Sequence, residues 1–262
     1  MLLMNQFVDW IKFYINTMKK IILLALVITN FTATAQESVL LRLNYNKGDN
    51  YITNVELSQN MGGQGEMNMN MGMYSTVSNV DDKAIILESK IESIVMTMNQ
   101  GGMAMNYDSN KTDEELDPMG QMMKSQFDPI LQATIYNTFD RYGNVLEVRM
   151  EPKPLPGMEQ FTDNQNAINF PDEEVSVGSS WTSEVDKQGM KVLTKYTVSK
   201  IYDGVVLLDI SGTVSGLATG SINGKSTVNI SSGILAASTI EMTMSVQGIE
   251  MSFVTSSTMT KM

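Results

Sequence analysis

The chain has 262 residues, of which 42% are hydrophobic and 18% charged, a composition typical of a globular protein. It contains no cysteine and no histidine, which excludes disulfides, thiol nucleophiles, imidazole bases and zinc sites built from these residues. The net charge of −11 repels phosphate backbones, so we do not expect nucleic acid as a partner.

The N-terminal segment has the features of an export signal. From Met18, two lysines precede an apolar stretch that ends in Ala-Thr-Ala. This is the order of regions in a signal peptide. We predict a signal peptide at 18–35, an upstream extension at 1–17, and a mature chain from Gln36 that is periplasmic or extracellular. An uncleaved N-terminal anchor is the open alternative. Cleavage removes three lysines and one aspartate, which leaves a net charge of −13.

A first β-half is predicted at 36–111. Runs of alternating apolar and polar residues are separated by turns rich in Gly, Asn and Asp, which is typical of antiparallel hairpins. The runs are "NYITNVELSQNM", "EMNMNMGMYSTVSNV", "AIILESKIESIVMTM" and "MAMNY".

The segment 112–170 carries the predicted helical material. In "DEELDPMGQMMKSQFDPIL", acidic residues precede Pro118 and apolar residues follow at spacings of three and four, which predicts a helix. A second short helix is predicted at about 158–168. Between the two helices, "ATIYNTFDRYGNVLEVRM" predicts a hairpin that turns at 140–144.

A second β-half is predicted at 171–262, and it resembles the first. The residues 75–89 match 196–210 at a constant offset of 121. Each half also opens with Gly-x-x-aromatic, at Gly48 and Gly178. We therefore predict a mainly β fold in which two related antiparallel β-halves form a curved sheet or open barrel, with short helices between them.

Several motifs resemble those of a family of secreted bacterial proteins of uncharacterised function. They are "FPDEEVSVGSSWT" (170–182), "EMTMSVQGIEMSF" (241–253), "YDSN" (107–110) and "FDRYGNVLEV" (139–148). This resemblance implies an exported, β-rich envelope protein and supplies no active site. A looser architectural similarity is to periplasmic lipoprotein carriers, whose incomplete β-barrel is closed by helices. Such a similarity implies a fold and not a function.

Eleven of the 23 methionines lie at alternate positions in three predicted hairpins. A period of two directs them to one face of a sheet, where their flexible side chains suit an apolar ligand. The candidate ligand-binding residues are Met67, Met69, Met71, Met73, Met96, Met98, Met103, Met105, Met242, Met244 and Met251.

The expected function is that of an exported, non-enzymatic envelope protein whose methionine-lined β-face holds an apolar or lipid-like ligand, with no cofactor. One alternative is a structural or interaction module that packs these methionines as core and binds another envelope protein. The other is a periplasmic Cu(I)-binding protein, since thioethers are soft ligands. Its ligands would be Met96, Met98, Met103 and Met105.

Overall fold

The computed structural model describes residues 37–153, 168–187 and 189–262, and these residues form a mainly β protein. The predicted signal peptide and upstream extension lie outside them. One helix, α1 (Pro118–Leu131), lies in the described part of the chain. The strands described are β1 (Ser38–Val39), β2 (Asn50–Asn60), β3 (Gly65–Val80), β4 (Ile85–Gln100), β5 (Met103–Asp108), β6 (Thr134–Phe139), β7 (Val145–Glu151), β8 (Val175–Ser176), β9 (Ser180–Lys187), β10 (Met190–Tyr202), β11 (Val205–Gly216), β12 (Thr219–Asn229), β13 (Leu235–Val246) and β14 (Ile249–Lys261).

Twelve of these strands form one antiparallel sheet that does not close on itself. Its order is β7-β6-β4-β3-β2-β14-β13-β12-β11-β10-β9, and β5 pairs with the far end of β4. The remaining strands, β1 and β8, pair with each other. The predicted mainly β, open antiparallel fold is confirmed, and because β14 pairs with β2 the two halves share a single sheet.

The internal repeat has a counterpart in strand pairing. The β3–β4 hairpin pairs Ser75 with Ser89, and the β10–β11 hairpin pairs Tyr196 with Ile210, so both members keep the offset of 121. Each hairpin also has a register shift at the equivalent place, after Val77 in the first and after Val198 in the second. Two hairpins that share both register and bulge position are related in structure as well as in sequence.

The same correspondence explains the two Gly-x-x-aromatic motifs. Gly48 and Gly178 have φ angles of 88° and 91°, a conformation that residues with a Cβ rarely adopt. The N–H groups of these glycines donate to the carbonyls of Val77 and Val198, both at 2.8 Å. The glycine thus ties the start of each half to the bulged strand of its hairpin.

A short N-terminal segment covers part of the buried face of the sheet. We call residues 40–46 the strap. Leu41, Leu43 and Tyr45 are buried at every second position, as in a strand. The backbone instead bonds to two turns, from Leu43 N–H to Arg141 O at 2.9 Å and from Asn44 N–H to Ser232 O at 2.8 Å.

Helix α1 covers another part of that face. Asp117 caps its N-terminus, because the Oδ1 atom accepts a hydrogen bond from Gly120 N at 2.6 Å. Met123 and Ile130 are buried, and Phe127 stacks on Tyr107 with ring centroids 5.1 Å apart. The predicted helix is confirmed. The second predicted helix falls largely on residues 154–167, which lie outside the described part of the chain.

These two covers give the protein two buried clusters. The strap core holds the strap together with residues of both β-halves, among them Tyr51 and Leu208. The helix core holds α1 together with residues of β4 to β7, among them Ile94 and Met150. Because the strap core contains residues of both halves, the repeats share one core rather than forming separate domains.

The helix cap provides a test of how α1 is held. We expect Asp117→Ala to lower the free energy of unfolding by about 1 kcal/mol, because the Gly120 N–H loses its acceptor at the helix start. Asp113→Ala is the matched control, because Asp113 is exposed and forms a surface ion pair with Lys124 Nζ at 3.6 Å. Surface ion pairs of this kind contribute little to stability. Urea unfolding of both variants measures the difference. Equal destabilisation by the two changes would contradict the capping role.

Candidate functional site

Strand register sets the methionines of the first half in rows on the buried face. Met67 lies opposite Met98, and Met98 lies opposite Met105, so three methionines follow one another across β3, β4 and β5. The next row joins Met69, Met96 and the ring of Tyr107. The methionines of neighbouring strands are therefore direct cross-strand partners, the closest contacts that a sheet offers.

Seven of the eleven predicted site residues lie in or against the helix core. Met96 is buried within it, and six others are partly buried against it. Those six are Met67, Met69, Met71, Met73, Met98 and Met105. Most of these methionines therefore contribute to the packing of the helix core.

The other four candidates lie apart from that cluster. Met242 and Met244 pack against the strap core, as the predicted β13–β14 hairpin requires, with Met244 opposite Met251. Met251 is partly buried and belongs to neither core. Met103 pairs with Gln100 rather than with a methionine, and 63% of its surface is exposed.

A cavity of about 300 Å³ lies where the strap core and the helix core meet. Its floor is the buried face of the sheet, from β6 and β4 through β3 and β2 to β14. The strap, the turn at Gly143, the turn at Gly233 and residues 168–170 contribute the remaining walls. Of the predicted site residues, Met71 and Met73 line this cavity, and they are joined by Met259 of β14.

The cavity is mainly apolar but has a few neutral polar groups. Thr53, Ser75 and Ser89 line it, and they are three of the five buried polar side chains in the described residues. The Ser75 and Ser89 hydroxyls are 2.8 Å apart and bond to each other, whereas the Thr53 hydroxyl has no partner. Among the described residues that line the cavity, none carries a charge.

Tyr45 lines the cavity and packs on Tyr51, and both phenols stay neutral. Tyr45 and Tyr51 pack edge to face with ring centroids 5.3 Å apart. Burial raises the pKa of Tyr45 far above 10. Burial, and then the negative charge of Asp49, raise the pKa of Tyr51 to about 12. Neither phenol ionises near neutral pH, so neither is suited to act as a general base there.

The acidic cluster of residues 113–117 has structural roles. Glu115 accepts hydrogen bonds from the backbone N–H and the hydroxyl of Thr112, both at 2.9 Å, and these bonds lower the pKa of Glu115. Asp117 is the helix cap and Asp113 faces Lys124. Within the described ranges, no group of three or more acidic side chains is arranged to hold a metal ion.

Comparison with known proteins assigns no family to this chain. No family model and no curated protein matches the chain. Among solved structures it is similar to "Crystal structure of MucB in complex with MucA(peri)", with 8% identity over 79% of this chain and 88% of that chain and a TM-score of 0.12. This score establishes no common fold, so the resemblance to a secreted bacterial family stays a prediction. In the part of the chain that the structure describes, no helix has the length and apolar character needed to span a membrane.

Proposed function

We propose that this chain is an exported, non-enzymatic envelope protein that holds a small apolar ligand in the cavity between the strap core and the helix core. The observation that carries the proposal is the cavity itself, a space of about 300 Å³ with a mainly apolar lining. Ligand sites are typically clefts of about 300–1,000 Å³ with apolar walls and few polar groups. This cavity is at the lower end of that range.

The volume indicates the size of the ligand. An engineered apolar cavity of about 150 Å³ takes one benzene molecule, which has six carbon atoms. By the same scale, a cavity of about 300 Å³ accommodates about twelve non-hydrogen atoms. That is a short acyl chain or a single ring with a side chain, and not a complete phospholipid.

The flexibility of the walls supports binding. Met71, Met73 and Met259 line the cavity, and methionine adapts to ligand shape because its side chain is unbranched and turns about three bonds. The described lining offers no carboxylate, amine or imidazole for proton transfer. The surroundings therefore favour holding a molecule over transforming one.

Native mass spectrometry of the exported protein, purified without detergent, tests the proposal. We expect an adduct of about 150–200 daltons, the mass of about twelve non-hydrogen atoms, which organic solvent releases. Met73→Ala enlarges the cavity and should move the adduct to a larger mass. Met69→Ala is the matched control, because Met69 lies on the same face of β3 but does not line the cavity.

A bare protein mass, unchanged after addition of small apolar molecules, would contradict ligand binding. The interaction-module alternative would then account best for the protein, with the methionines as packing between sheet and helix.

Cu(I) binding is a second candidate, because the row Met67, Met98 and Met105 brings three thioethers together across adjacent strands. Of the four ligands predicted from sequence, Met98 and Met105 lie in this row. Met96 pairs with Tyr107 instead, and Met103 lies at the exposed end of β5.

An anaerobic Cu(I) titration tests this candidate. We expect Met98→Leu to weaken Cu(I) binding about ten-fold or more, because Met98 is the middle member of the row. Met71→Leu is the control, since Met71 lies on the same face outside the row. Equal affinity in both variants would rule out this row as the site.

A further inference from the structure

The floor of the cavity contains a hydroxyl group with no hydrogen-bond partner. Thr53 is 8% exposed, and its Oγ1 atom is buried without a donor or acceptor. A buried polar group in this state is unfavourable by about 1–3 kcal/mol, and native proteins usually avoid it. A ligand in the cavity that hydrogen-bonds to the Thr53 hydroxyl would supply the missing partner and remove this cost.

The neighbours of Thr53 allow that contact. On the buried face, Thr53 lies in register between Met73 on β3 and Met259 on β14, and all three line the cavity. Methionine side chains change rotamer readily, so a ligand group can reach the hydroxyl by displacing them. Rotation about the Cα–Cβ bond of Thr53 then directs the hydroxyl toward the ligand.

The serine pair beside Thr53 adds a second polar contact. Two hydroxyls carry two protons, and the hydrogen bond between Ser75 and Ser89 uses one of them. The other proton remains available as a donor. Together with Thr53, the pair offers donors and acceptors without charge.

The same lining disfavours an ion. A carboxylate or an ammonium group in this cavity would lose its water without meeting an opposite charge among the described lining residues. The net charge of −11 adds long-range repulsion of anions.

We infer that the cavity selects an uncharged amphiphile, a molecule of up to about twelve non-hydrogen atoms with an apolar body and one neutral hydrogen-bonding group that bonds to Thr53 and the Ser75–Ser89 pair. This inference rests on the proposed binding function and names the class of its ligand. Free fatty acids in their ionised form are excluded by it, whereas alcohols, amides and esters of similar size fit.

Three probes separate the inference from the proposed function. Octanol is neutral with one hydroxyl, octanoate is ionised at about pH 8, and toluene has no polar group. Calorimetry with the mature protein should show that octanol binds about ten-fold or more tightly than octanoate, because only octanoate brings a charge into the cavity. Toluene should bind as well, since it needs only the apolar space.

Two variants test the polar contacts. Thr53→Val keeps the shape of the side chain and removes the hydroxyl, so it should weaken octanol binding about five-fold and leave toluene binding unchanged. The double variant Ser75→Ala/Ser89→Ala should also weaken octanol binding. Its matched control is Ser226→Ala/Ser238→Ala, a buried serine pair with the same 2.8 Å bond that does not line this cavity.

A loss of octanol binding in Thr53→Val cannot be attributed to a loss of stability. Thr53→Val removes an unpaired buried hydroxyl and should raise the midpoint of thermal unfolding, or leave it unchanged. Equal affinities for octanol and octanoate would overturn the inference, and so would equal octanol affinities of Thr53→Val and the unchanged protein. In either case, toluene binding would still support the proposed cavity. Absence of binding by all three probes would overturn both the inference and the proposed function.

Discussion

The pairing of the last strand with the first long strand is the interaction on which the rest of this protein depends. Ten residue pairs, from Ser252–Asn60 to Lys261–Tyr51, join β14 to β2. This pairing turns two related halves into one sheet of twelve strands with one apolar face. Two segments cover parts of that face, the strap of seven residues and the fourteen residues of α1. The cavity is lined by residues of β3 and β4 from the first half and of β14 from the second, so it depends on this pairing.

Local signals in the sequence predicted the strands well, because a side-chain period of two needs only neighbouring residues to be recognised. The sequence offset of 121 between the two repeats is also found between the paired residues of the two hairpins. The start of β12 carries no such signal, because the two glycines of "TGSINGKS" are more typical of a turn than of a strand. Gly220 and Gly224 occupy that strand because a Cβ there would lie 2.1 and 2.5 Å from the carbonyl oxygens of Thr243 and Thr239.

The site was harder to predict, because it depends on contacts between distant residues. Sequence pattern placed Met71 and Met73 on the buried face, but it did not distinguish them from Met67 and Met69, which have the same spacing. All four pack against the helix core, and Met71 and Met73 differ in that they also line the cavity, whose other walls come from the strap and from the turns at Gly143 and Gly233. Thr53 gave no signal either, since a lone threonine in a strand is ordinary and its unpaired hydroxyl is visible only in three dimensions.

The methionines themselves allow the most direct test of where a ligand lies. In protein labelled with carbon-13 at the methionine methyl groups, each methionine gives a separate NMR signal that substitution to leucine assigns. On titration with octanol, we expect shifts for Met71, Met73 and Met259, and unchanged signals for Met67, Met98 and Met105, which pack against the helix core but do not line the cavity. Shifts confined to the second group, or none at Met71 and Met73, would contradict it.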